Sequence, residues 1–259
     1  MISVQAVDRQ GTVLAQARHP EEVLLCLDRS YEEGDRILIE GERHLFVQMD
    51  QTLPWGEVYC GKEKMTWSVP WGEHRLAYAP GAFEAQRHVI SVRKMQDADL
   101  RVCRNLALNP ADLRGSVDFA PHCTANVETR NEACFCARNV IDGLRFNIYH
   151  GEWPYCSWGI GAREDAWCRL DFGRPVHLLR MALTLRADFP HDAYWTQGVV
   201  RLSDGTEKEF SLNKTGERQW IPLDGRTVTW IQLERLVKSP DPSAFPALSQ
   251  WEAWGWDEE

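Results

Sequence analysis

Hydrophobic positions along this chain recur mostly at every second residue. "DRILIEGERHLFVQMD" (residues 35–50) sets Ile37 and Ile39, then Leu45 and Val47, on alternating positions around a glycine-bearing turn, the pattern of a hairpin with one buried face. "MTWSVPWGEHRLAYAP" (65–80) and "RHVISVRKM" (87–95) continue in short apolar pieces with turn residues between them. Further on, "WCRLDFG", "HLLRMALTLRA", "QGVVRLSDGTEKEFSL", "RQWIPLDG" and "TVTWIQLERLV" read as separate strands, with "SDGT" and "LDGR" supplying the turns. The one serious helical window is "PEEVLLCLDRSYEE" (20–33), and its Val23 to Leu27 run fits a buried strand equally well. Short strands with frequent turns predict an all-β chain built of sandwiches or barrels. Between residues 95 and 104 the texture turns polar, which predicts two β-sandwich domains, residues 1–95 and 104–259. No short-period repeat suggests a solenoid or propeller.

Composition narrows the class of partner. With 259 residues, 44% hydrophobic and 26% charged, the chain can bury a core and remain in water. A net charge of -9 argues against nucleic acid and anionic membranes, which require a basic face. No apolar run approaches the ~20 residues needed to span a bilayer. The opening "MISVQAVDRQGTVLAQ" has neither the lysines nor the apolar block of a signal peptide, so a cytoplasmic location is expected. Of eight cysteines, Cys123, Cys134, Cys136, Cys156 and Cys168 fall in one region. They form no C-x-x-C pair, and the His122, Cys123, Cys134, Cys136 set offers only C-x-C, so reduced cysteines serving as small hydrophobes are expected rather than zinc.

Candidate chemistry gathers in two stretches. "LRADFPHDAYWTQG" (185–198) crowds Arg186, Asp188, His191, Tyr194 and Trp195 around a proline. A sugar ring offers an apolar C–H face and a hydroxyl edge, so a receptor with flat rings beside planar polar groups suits it. The competing structural reading has Phe189 and Trp195 closing the end of the sandwich, with Arg186 paired to Asp188. "FNIYHGEWPYCSWGIG" (146–161) adds Tyr149, His150, Glu152, Trp153 and Tyr155; Trp153 and Tyr155 are the better ligand candidates there. Trp167, Trp220, Trp230, Trp251 and Trp254 sit in strand patterns and are expected in the core.

From Asn105 the chain carries "NLALNP", "TANVET", "ARNVIDG", "WCRLDFGRPVHLLRMALTL", "VRLSDGTEKEFSL" and "LSQWEAWG" in order. This succession resembles the discoidin or coagulation-factor type C family over about residues 104 to 256. The resemblance implies a galactose-binding-like jelly roll, a family in which many bacterial members are carbohydrate-binding modules, with Trp158 as a core tryptophan. It implies an oligosaccharide or glycoconjugate partner held non-catalytically by strand-end loops. It also implies a structural calcium at Asp142 and Glu252, with help near Asn139, since this cation takes hard oxygen ligands. Two other functions remain open. One is a protein-interaction or assembly module using the aromatic loops as an apolar patch. The other is a glycoside-processing enzyme, for which Asp188 with Asp192, or Glu164 with Asp165, would be the paired carboxylates. No G-x-S-x-G, H-E-x-x-H or phosphate-binding glycine loop is present. In the first domain, Trp55 and Trp71 are the next ligand candidates.

Overall fold

A computed structural model describes residues 1–116, 118–145, 151, 153–187 and 193–258. Eight strands fill the first part of the chain: β1 (Ile2–Val7), β2 (Val13–His19), β3 (Glu22–Leu27), β4 (Arg36–Glu40), β5 (His44–Gln48), β6 (Gly56–Tyr59), β7 (Lys64–Ser68) and β8 (His88–Lys94). They form two antiparallel sheets, ordered β2-β1-β4-β7 and β3-β8-β5-β6. The inward residues of both sheets share one core, with Ile2, Val4, Ile37, Ile39, Leu45, Val47, Trp67 and Ile90 almost wholly buried.

The ambiguous window at residues 20–33 resolves as a strand. In β3, Val23, Leu25 and Leu27 point inward while Leu24 and Cys26 face out, a period of two that no helix can satisfy. The expected hairpin of residues 35–50 is not one. Both halves alternate as predicted, but β4 pairs with β1 and β7 while β5 pairs with β6 and β8, so the chain crosses from one sheet to the other at this turn. Gly41 makes the crossing possible, because its φ is +108° and a Cβ there would meet the Met1 carbonyl oxygen at 2.0 Å.

A short helix, α1 (Asp97–Leu100), follows; Gln96 caps it, its backbone N–H donating to Asp99 at 2.9 Å. The remaining strands are β9 (Arg104–Asn105), β10 (His122–Ala125), β11 (Trp158–Gly159), β12 (Cys168–Leu185), β13 (Trp195–Leu202), β14 (Glu207–Ser211), β15 (Gln219–Lys238) and β16 (Ala247–Asp257). "WCRLDFG" and "HLLRMALTLRA" belong to a single strand, β12, and "RQWIPLDG" with "TVTWIQLERLV" to another, β15. These eight strands form one continuous antiparallel sheet, and each long strand runs through both halves of it. The first part of β12 lies between β10 and the later part of β15, which continues to β13 and β14. The second part of β12 lies between β16 and the early part of β15, with β9 and β11 on the far side of β16. The pairing jumps from Asp171↔Trp230 to Val176↔Val228 where the strands bend. Gly173, with positive φ, stands at this jump; Asp224 and Gly225, also with positive φ, stand at a second one, between Leu178↔Arg226 and Arg180↔Pro222. "LDGR" therefore bends β15 instead of ending it, whereas "SDGT" does reverse the chain, with Gly205 N–H donating to the Leu202 carbonyl at 3.0 Å. Against this sheet packs a second core containing Trp158, Leu170, Phe172, Leu178, Trp195, Ile231 and Trp251. The all-β class and the jelly-roll architecture are thus as expected.

The two sandwiches are joined by specific contacts. Tyr59 and Ala120 exchange backbone hydrogen bonds of 2.7 and 3.0 Å, and Trp67 Nε1 donates to the Ala111 carbonyl at 2.9 Å. Ala111, Phe119 and Ala133 are buried within the first core. Arg104 bridges Glu57 at 2.6 Å and Asp257 at 2.5 Å, and Asp257 also accepts from Arg174. All eight cysteines are free, with only Cys26 and Cys103 exposed. No helix among the described residues is long and apolar enough to cross a membrane.

Candidate ligand pocket

Where β12 ends and β16 begins, a pocket of about 240 Å³ opens at the edge of the second sandwich. The strands themselves hold its floor. Arg186, the first residue past β12, donates its backbone N–H to the Ala247 carbonyl at 2.9 Å, and Gly159 in β11 is registered opposite Ala247 in β16. The Arg186 side chain is almost fully buried, and its Nη1 donates to the Tyr155 carbonyl at 3.0 Å.

One wall is made by two short 3-10 turns, Thr129–Asn131 and Ala133–Phe135. Thr129 Oγ1 accepts the Gly161 N–H at 2.9 Å, and Ser157 N–H donates to the Cys134 carbonyl at 3.0 Å, which fixes the wall against the strand. Gly159 is required by this approach, because a Cβ there would lie 2.5 Å from Thr129 Oγ1. Phe135 presents its ring with Arg130 stacked over it at 5.1 Å; Tyr155 meets the same ring edge-on at 6.2 Å. Arg130 is also held by Glu132 at 2.6 Å, which keeps the Glu132 carboxylate below its usual range. Phe245, 53% exposed, lines the pocket together with Pro246 and Ala247. The Ser157 hydroxyl is buried at this pocket without a hydrogen-bond partner.

Of the residues expected to bind a ligand, the structure brings Arg186 and Tyr155 together: the guanidinium carbon lies 5.9 Å from the Tyr155 ring centre. Burial, reinforced by Cys134, pushes the Tyr155 phenol up and keeps it protonated. Trp153 is half-buried with its indole N–H lacking a partner, and it does not line this pocket. Trp195 is corrected outright: it is 2% exposed and packs against Trp158 at 5.9 Å, so neither face can receive a ligand. Tyr194 is half-buried against the same core, its backbone bonded to Ser239, and it too is outside the pocket. Asp188 and His191 lie outside the described residues, as do Asp192, Tyr149, His150 and Glu152. Of the tryptophans expected in the core, Trp251 is buried, but Trp220 is 42% exposed and faces Trp254 across the outer sheet face at 6.1 Å. Thr129, Phe135, Ser157 and Phe245 were not anticipated from the sequence.

The residues expected to hold calcium do not fit that ion as they stand. Glu252 Oε1 accepts from Arg218 Nε at 2.6 Å and Oε2 from Trp254 Nε1 at 2.9 Å, with Arg145 at 3.9 Å. Asn139 Oδ1 accepts from Arg138 at 3.2 Å. Asp142 accepts the Leu144 N–H at 2.8 Å, and burial pushes its carboxyl up to about 7. A divalent cation needs several oxygens free of competing donors. Here the Glu252 and Asn139 oxygens already accept from guanidinium groups. Among the described residues no group of three or more His, Cys, Asp or Glu side chains is placed to hold a metal.

No protein-family model matches the chain, and no curated protein does. Solved structures similar to it include chitosan-binding module 1 from a chitosanase/glucanase of Paenibacillus sp. IK-5, at 19% identity and TM-score 0.40, covering 59% of this chain and 99% of that one. Another is a Streptococcus pneumoniae fucose binding module, at 16% identity and TM-score 0.41, covering 64% of this chain and 100% of that one. A third is the lectin domain of lectinolysin complexed with Lewis B antigen, at 14% identity and TM-score 0.42, covering 58% of this chain and 95% of that one. Likeness at these TM-scores does not assign a ligand, and the function of the pocket rests on this chain's own residues.

Proposed function

We propose that the second sandwich binds a carbohydrate without transforming it, in the pocket bounded by Phe135, Phe245, Thr129, Ser157 and Arg186. The observation that carries this reading is the juxtaposition, in one pocket, of two accessible phenylalanine rings, Phe135 and Phe245, with the Thr129 hydroxyl and the exposed Arg130 guanidinium. The C–H face of a sugar ring lies on an aromatic wall while its hydroxyls bond planar and hydroxylic groups beside it. Buried Arg186 and the Tyr155 backbone support the floor. The volume accommodates about one sugar ring, so the partner is an oligosaccharide or glycoconjugate gripped through a single residue. This is the discoidin-type reading of the sequence with its contact residues reassigned.

A glycan array on the purified chain, followed by calorimetric titration of the best hit, tests the assignment. Phe245→Ala should weaken binding about tenfold, the loss of one stacking contact, while leaving the melting temperature nearly unchanged because the ring is exposed. Trp195→Ala should do the reverse, costing about 3–5 kcal/mol of stability through a core cavity while the folded fraction binds normally. An array without any hit, or full affinity in Phe245→Ala, would remove the pocket from consideration.

A further inference from the structure

A larger cleft, about 550 Å³, lies at the junction of the two sandwiches, lined by Tyr59, Lys62, Lys64, Phe119, His122 and Asp171 among others. Its most ordered feature is a histidine set by a buried acid. Asp112 is fully buried; its Oδ1 lies 2.6 Å from His122 Nδ1, and its Oδ2 accepts the Cys123 N–H at 3.0 Å. The backbone of Asp112 is pinned in turn, its carbonyl accepting Arg138 Nε at 2.8 Å and its N–H donating to the Asn109 carbonyl at 3.1 Å. One carboxylate oxygen therefore holds the ring and the other the backbone of the next residue in β10, and His122 lines the cleft with Nε2 on the side away from Asp112. Burial by itself would discharge the imidazole, but the hydrogen bond and charge of Asp112, helped by Asp171, outweigh it and raise the histidine above its usual value. His122 thus holds one ring nitrogen on Asp112 and turns the other, Nε2, away from it.

The walls of this cleft are rigid. The Tyr59 and Ala120 backbones are bonded to each other, and Gly173 lets β12 pass so close that a Cβ would meet the Ala120 Cβ at 2.8 Å. Of the two lysines, Lys64 is engaged by Glu40 at 3.1 Å, while Lys62 is exposed and has no ion pair among the described residues. Asp118 and Asp171 complete the lining, and Asp171 turns one oxygen to the Gly173 N–H at 2.7 Å.

We propose that this cleft is a second binding site, in which His122 and Lys62 receive the single phosphate or carboxylate group of a small hydroxylated ligand. When protonated, an imidazole held in one orientation and an exposed ammonium lining the same cleft are donors for an anionic oxygen. The two carboxylates exclude a polyanion and accept hydroxyls from the remainder of such a ligand. This site is separate from the sugar pocket and does not depend on it.

The test uses the full chain with isotope-labelled histidine, observed by the nitrogen resonances of its imidazoles during titration with inorganic phosphate and, separately, acetate. The His122 signal is assigned by its loss in His122→Gln. It should shift saturably, Lys62→Ala should weaken that response about tenfold, and Phe245→Ala should leave it unaltered. Response to phosphate alone or to acetate alone identifies which anionic group the site takes. If neither anion moves His122, or if Lys62→Ala binds as tightly as the parent, the proposal fails and Asp112 serves only to tie its loop to β10. Lys62 is exposed, so this comparison does not depend on how well a core variant folds.

Discussion

At the scale of single residues, burial decides what each polar or aromatic group can do. Trp195 opens β13 and enters the core beside Trp158, and Tyr194 just before it is half-buried against the same core. The partner strand β15 sets this, and the sequence around the two residues does not carry that information. Phe135 and Phe245 line the pocket instead. Asp142 shows the same control exerted on charge. Burial lifts its carboxyl from 3.8 to about 7, against the opposing pull of Arg138. The folded chain therefore retains a proton that the unfolded chain releases. The contribution of this group to stability is complete below the unfolded value and is lost as pH rises through the interval up to about 7. Asp142→Asn keeps an acceptor for the Leu144 N–H without the charge. Its denaturation midpoint, measured beside the parent across that interval, should gain on the parent as pH rises towards neutrality. Parallel curves would show that the carboxylate is as well accommodated as the acid.

At the scale of elements, the alternation in β4 and β5 was legible because it is local: each strand carries its own inward and outward positions. Pairing was less legible. Ile37, Ile39, Leu45 and Val47 alternate as a hairpin would, yet they bury in the same core from opposite sheets, a choice made by β1, β7 and β8. The pocket was legible only in part for the same reason. Arg186 and Tyr155 were visible in polar, aromatic-rich stretches, whereas Thr129, Phe135 and Phe245 meet across long stretches of chain. The glycine of "SWGIG" was the one local sign, since Gly159 leaves room for Thr129. Gly173 makes a comparable demand on β12, with φ +68° and no space for a methyl group. Gly173→Ala should cost about 1–3 kcal/mol, from left-handed backbone strain together with the clash against Ala120. The measurement is chemical denaturation; an unchanged midpoint would mean that the bend relaxes freely.

For the whole molecule, the seam between the sandwiches sets how the chain unfolds. Arg104 sits between Glu57 and Asp257, and removing it leaves the half-buried Glu57 without its hydrogen-bonded cation. Arg104→Ala should therefore destabilise by about 1–3 kcal/mol. Because Ala111, Phe119 and Ala133 complete the first core, both sandwiches should melt together in parent and variant, as followed by calorimetry. Two separated transitions in the parent would show that the seam does not couple them. The length of β12 has a consequence for motion as well. A strand paired along both halves of one sheet should not release its amides on one side of Gly173 while the other side stays paired, unless the bend itself opens. Amide hydrogens of residues 168–171 and 176–185 should exchange with solvent at a common, slow rate, and a ligand held beside Arg186 should slow both groups alike. An occupied pocket would then be felt as far away as β10, through a strand that stiffens along its whole length.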